Sequence, residues 1–133
     1  MFAFNKQLWE FGQKVEDEVK PILNEKFNAD FKRHDDMWDI LDFYDEEKKI
    51  ICEIKGRKIN SDKFTDTIIP MNKVRNGFMK IEQDYKVYFV FVFLDKTLYC
   101  ELTDELEYKV RLTGTNYIEH ALIDIDKLTE VDP

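Results

Sequence analysis

Glycine, proline and cysteine are scarce: the 133 residues contain four, three and two of them. So few chain-breaking residues exclude a collagen-like or low-complexity chain. The two cysteines, Cys52 and Cys100, are far apart and lack C-x-x-C spacing. That excludes a disulfide framework and a thiolate zinc site, and both read as small buried hydrophobes in a reducing compartment. The two histidines, His34 and His120, stand alone and read as structural or surface residues. His34, just before the first predicted strand, has substrate contact as its alternative role. No apolar run reaches the roughly 20 residues that span a bilayer, so no membrane partner is expected. The first residues lack a basic stretch followed by an apolar core, which predicts a cytoplasmic protein without a leader. No repeat or linker divides the chain, and residues 1–133 read as one domain.

A net charge of −8 argues against general polyanion binding, but the charge is unevenly distributed. Residues 1–47 carry net −7, residues 48–80 carry net +6, and residues 81–133 carry net −7. A basic segment between acidic flanks is compatible with local phosphate recognition.

Apolar periodicity places a helix over 3–27, with Leu8, Phe11, Val15, Val19, Ile22 and Leu23 along one stripe. Pro21 interrupts that pattern and predicts a kink or a second helical segment. Glu16 lies at the margin of the stripe. Residues 27–33 read as a short strand or loop. Two apolar runs, Trp38 to Tyr44 and Ile50 to Ile54, flank the charged turn Asp45 to Lys49 and predict a β-hairpin. Gly56 ends the second strand, and residues 57–67 read as a polar loop. Pro70 opens a second helix, which Asn76-Gly77 shortens or bends. Tyr85 to Leu94 has the continuous apolar character of a central strand. Leu98 to Leu102 and Tyr108 to Leu112 read as further strands, and 117–125 as strand or helix. The fold class is therefore α/β, a mixed four- to five-stranded sheet flanked by helices.

The chemistry concentrates in the hairpin. Glu53 and Lys55, two apart, project from one strand face, and Asp39 sits on the preceding strand. Cys52 and Ile54 read as core, so Glu53 and Lys55 face the first helix or a cleft. Two carboxylates and an ammonium on a buried face are costly unless they bind something. A divalent cation and a phosphate satisfy all three. Hard oxygen ligands suit Mg²⁺ or Mn²⁺, with the Ile54 carbonyl as a further ligand between Asp39 and Glu53. Lys55 is placed to orient a water or to stabilise developing charge. Glu16 supplies another carboxylate if the helix packs across this face.

This arrangement resembles the PD-(D/E)XK nuclease superfamily, which includes restriction endonucleases, Holliday-junction resolvases and phage endonucleases. Asp39 matches the metal-binding aspartate, Glu53-Ile54-Lys55 the E-x-K half, and Glu16 the glutamate often contributed by the first helix. The resemblance spans the order helix, hairpin, helix, strand pair, over most of residues 3–102. It implies a restriction-endonuclease-like core and a Mg²⁺- or Mn²⁺-dependent endonuclease hydrolysing phosphodiester bonds in DNA, with a phage origin in keeping with its size. It also implies that a residue of the second helix contacts phosphate, for which Lys73 is the candidate. Arg57 and Lys58 are further substrate-contact candidates, with loop charges as their plainer reading. Trp38 stands where the family often has proline, which leaves Asp36, Asp39 and Asp42 open as the aspartate. Asp39 is preferred: Asp36 precedes the strand, and Asp42 has the opposite strand parity. So small a chain offers limited surface to a duplex, which makes a homodimer plausible. The alternative is an inactive nucleic-acid-binding or protein-interaction module of the same fold; the plainer reading of Glu53 and Lys55 is a solvated strand face bearing an ordinary ion pair.

Overall fold

Val15, Val19 and Leu23 recur every four residues, and all three are buried in the computed structural model, which describes residues 6–33, 41–114 and 117–131. They form the inner stripe of α1 (Lys6–Phe27), which continues through Pro21 as one helix. In chain order there follow β1 (Lys32–Arg33), β2 (Phe43–Asp45), β3 (Ile50–Gly56), β4 (Asp66–Pro70), α2 (Met71–Glu82), β5 (Lys86–Val92), β6 (Thr97–Glu101), β7 (Lys109–Thr113) and β8 (Ile118–Asp124). A 3-10 turn (Ile125–Lys127) and β9 (Thr129–Glu130) complete the described chain.

The architecture is α/β with two sheets. Six strands form a mixed sheet in the order β1-β2-β3-β5-β6-β9, and three form an antiparallel sheet in the order β4-β8-β7. All neighbours in the large sheet are antiparallel except β3 and β5, which are parallel. The expectation of four to five strands is thus corrected to six. The two edge strands are only two residues long, too short for any alternation to show in sequence. The polar segment 57–67, expected to be loop throughout, ends in β4, which pairs with β8. Residues 118–124 are strand rather than helix.

Both faces of the large sheet are covered. On one face α1 packs Val15, Val19 and Leu23 against Phe43, Cys52, Ile54 and Val90. On the other, Ile51, Val87, Phe89 and Phe91 share a core with Val74 of α2 and with Ile69, Ala121 and Ile123 of the small sheet. Alternate residues of β5 therefore serve opposite layers, as its unbroken apolar run requires. Gly77 does not break α2: it is buried, and a Cβ there would lie 2.5 Å from Leu102 Cδ2. Glycine lets the helix approach the sheet at that point.

Gly56 has a similar role at the end of β3. It remains paired, opposite Val92, and a Cβ there would lie 3.0 Å from Phe11 Cε2 and 3.1 Å from Val15 Cγ2. It therefore seats α1 on the strand rather than turning the chain. Gly56→Val should lower stability by roughly 1–3 kcal/mol through overpacking. A urea midpoint equal to that of the wild-type protein would show that α1 does not depend on this contact.

Candidate functional site

The hairpin decides the site. Its four-residue turn sets the register Asp45↔Ile50, Tyr44↔Ile51, Phe43↔Cys52. One step further out, position 42 falls opposite Glu53. Pairing with β2 stops there, so among the described residues the backbone of Ile54 has no strand partner on that side. Asp42 replaces it: Asp42 Oδ2 accepts the Ile54 N–H at 2.8 Å. A strand residue directs its N–H and its C=O to the same edge, so the Ile54 carbonyl also faces the Asp42 side.

Glu53 is 1% exposed in the middle of the sheet. It lies on the Ile51 face of β3, while Cys52 and Ile54 on the other face meet α1. The face opposite α1 is therefore the one that carries Glu53 and Lys55. Lys55 Nζ and Lys73 Nζ, the latter in the first turn of α2, each lie 3.4 Å from Glu53 Oε2. Both lysine side chains are themselves largely covered, 24% and 18% exposed. Among the described residues, Glu53 Oε1 is buried and finds no hydrogen-bond partner. Asp42 approaches closely enough to share a proton with Glu53. Two ionised carboxylates have no proton to share, so this contact disfavours the charged form.

Burial first, and Asp42 second, push the Glu53 carboxyl up to about 8, against the opposing pull of Lys55 and Lys73. Glu16, on α1, is pushed up to about 7 by burial and by Asp42, while Arg33 and Lys55 oppose the rise. Asp42, on the approach to β2, therefore bears electrostatically on both Glu16 of α1 and Glu53 of β3.

Of the residues expected from sequence, Lys55 and Lys73 converge on one oxygen of Glu53, Ile54 turns its backbone to Asp42, and Glu16 lies within electrostatic reach of Asp42 and Lys55. Asp39 and His34 fall outside the described residues. Arg57 donates to the Ile68 carbonyl and so fastens its loop to β4. Lys58 is exposed, its Nζ 4.7 Å over the Phe11 ring. His120 is buried, with Nδ1 2.9 Å from the Ile118 carbonyl oxygen. A cleft of about 550 Å³ among Phe78, Leu106, Tyr108, Leu122 and Lys127 includes none of the site residues.

Asp42 is the site residue that sequence reasoning set aside. Strand parity holds only along a pleated strand, here one running through 39–43. Leu41 and Phe43 instead enter different cores, and β2 begins only at Phe43. The usable signal was the hairpin register, which counts outward from the turn and sets Asp42 against Glu53.

The ligand atoms brought together are hard oxygens, and a buried carboxylate oxygen with no hydrogen-bond partner among the described residues is compatible with a divalent cation. Among the described residues, however, no group of three or more His, Cys, Asp or Glu side chains converges to form a ready-made metal cage. Comparison with protein-family models, with curated proteins and with solved structures finds no match in any of the three.

A carboxyl whose pKa rises on folding takes up a proton as the chain folds. For Glu53 the resulting stabilisation is fully present below about 4.5 and is lost as pH rises through about 8. In EDTA the melting temperature should therefore fall across that window, by roughly 4 °C for each kcal/mol lost. Glu53→Gln should flatten the fall. Parallel melting curves for the two proteins against pH would contradict this assignment.

Proposed function

We propose that the chain is a metal-dependent nuclease that hydrolyses phosphodiester bonds in DNA, built on a restriction-endonuclease-like core. The observation that carries this reading is Glu53. A buried carboxylate has two lysines on one oxygen and, among the described residues, no donor on the other, with a second carboxylate beside it. Such an arrangement is costly as a purely structural feature, because each buried ion loses several kcal/mol of solvation. It is economical if a divalent cation and a phosphate occupy the site.

The chain order supports the reading. The order helix, hairpin, helix, strand pair that the resemblance implies is the order of α1, β2–β3, α2 and β5–β6. The basic segment 48–80 supports it as well, since Lys55 and Lys73 both come from that segment.

Glu53, Asp42 and the Ile54 carbonyl would hold Mg²⁺ or Mn²⁺, with Glu16 alongside. The ion, when bound, neutralises phosphate charge and lowers the pKa of a coordinated water. Lys55 orients the attacking water and donates to it or to the developing oxyanion. Lys73, reaching in from α2, donates to a phosphate oxygen and fixes the substrate against Glu53. Carbon-rich walls from Phe89 and Phe91 on the neighbouring strand exclude bulk water and strengthen these interactions.

One feature favours a second reading, an inactive binding module: Lys55 and Lys73 already neutralise Glu53 without a metal. Calorimetric titration with Mn²⁺ separates the two. The nuclease reading expects binding, weakened at least about tenfold in Asp42→Ala and in Glu53→Ala. Asp39→Ala, run beside them, reports whether that residue shares the ion. Lys55→Ala should then slow DNA cleavage about 10²- to 10⁴-fold. Absence of binding at millimolar Mn²⁺ would eliminate the nuclease reading.

A further inference from the structure

Three aromatic rings meet where α1 ends on the large sheet. Phe27 is the last residue of the helix. The register sets Tyr88 of β5 beside Cys52 and Tyr99 of β6 beside Val90, all on the face that α1 covers. Phe27 lies 4.4 Å from Tyr88, centroid to centroid, and stands at 87° to Tyr99 at 5.8 Å. Tyr88 and Tyr99 are 6.1 Å apart at 57°. The rings thus form a corner rather than a stack. They open on a cleft of about 430 Å³ whose wall also carries Glu101 and Glu105. Glu101 is directly opposite Tyr88 in the ladder and accepts a hydrogen bond from its hydroxyl.

These features share one electrostatic sign. Aromatic faces carry the negative part of the ring quadrupole and attract cations. Glu101 and Glu105 add full negative charge, and the C-terminal end of a helix adds a partial one. Lys127, also on the wall, is neutralised by its ion pair with Glu107. The fold already places an ammonium against one of the rings: the exposed Lys26 has its Nζ 5.6 Å from the Tyr99 centroid. A small metal ion would give up more hydration than ring faces return. A quaternary ammonium has an apolar surface and a diffuse charge, the combination that aromatic cages recognise. The cleft lies within the range of small-molecule sites, about 300–1,000 Å³.

We propose that the corner formed by Phe27, Tyr88 and Tyr99 binds a quaternary ammonium group, with Glu101 as its counter-charge. The group belongs either to a small molecule of the choline type or to a trimethylated lysine side chain. The site occupies the sheet face opposite Glu53 and is independent of the metal-dependent reading.

The test is an NMR titration of the whole chain at constant ionic strength. The probes are choline and 3,3-dimethylbutanol, its neutral isostere. Choline should shift the amides of 88 and 99–101 and bind about tenfold more tightly than the isostere. Tyr99→Leu should weaken choline binding about tenfold, while Tyr99→Phe, which keeps the ring, should stay within about twofold. Glu101→Gln, a change at an exposed side chain, should weaken it about two- to fivefold, and it serves if Tyr99→Leu does not fold. A short peptide carrying trimethyl-lysine, run beside its unmodified twin, distinguishes the sources. Tighter binding of the modified peptide than of choline assigns the site to a side chain, and the reverse assigns it to a small molecule. Equal affinity for choline and its isostere overturns the proposal, as does absence of binding by choline and by the modified peptide at tens of millimolar. Choline affinity unchanged in both Tyr99→Leu and Glu101→Gln overturns it as well.

Discussion

The desolvation of Glu53 is the constraint on which the rest of the arrangement depends. A carboxylate in the middle of a sheet, 1% exposed, loses its water on folding. Removing one partner from such a buried ion pair typically costs about 3–5 kcal/mol. The chain meets the demand from two directions. Lys55 comes from the same strand, and Lys73 comes from the helix that crosses over to the parallel neighbour β5. Neither lysine lies far enough out in solvent to be an ordinary surface charge. The two cations and the carboxylate thus tie the α2 layer to the sheet at one polar point within an otherwise aromatic and aliphatic core.

A second constraint acts on the backbone. Every N–H in the sheet interior needs an acceptor, and the early end of β2 leaves the N–H of Ile54 without one. Asp42 supplies it from its side chain. The same carboxylate that completes the ladder thereby lies beside Glu53. Local hydrogen-bond satisfaction and the gathering of negative charge come from one residue. Replacing Asp42 with a neutral acceptor would separate the two effects, since asparagine can still accept the N–H but does not repel Glu53.

Much of the architecture was legible in the sequence because it follows from strong periodicities. The α1 stripe at Val15, Val19 and Leu23 and the apolar run of β5 both correspond to burial on the expected faces. Glu53 and Lys55 were legible as a pair because charge on a predicted strand face is unusual enough to stand out. The two-residue edge strands were not legible, since pairing that short leaves no pattern. Nor was the second sheet as a unit: β4 follows a polar segment, and its partner β8 lies about fifty residues further on. Asp42 was misjudged because strand parity was carried past the point where the strand begins.

The chain order of these elements bears on how the protein assembles. The hairpin closes across four residues, so β2 and β3 pair early and locally, with Glu53 still hydrated. Lys73 is twenty positions away and reaches Glu53 only when α2 packs down over the parallel β3–β5 crossover. Glu53 therefore loses its water in the same event that delivers its second cation. In synthesis from the N-terminus β3 precedes α2, so Glu53 stands as a hydrated charge on an otherwise apolar strand until α2 is made. The residue that is hardest to accommodate in the finished core is thus an ordinary hydrated charge until the helix that completes its site arrives.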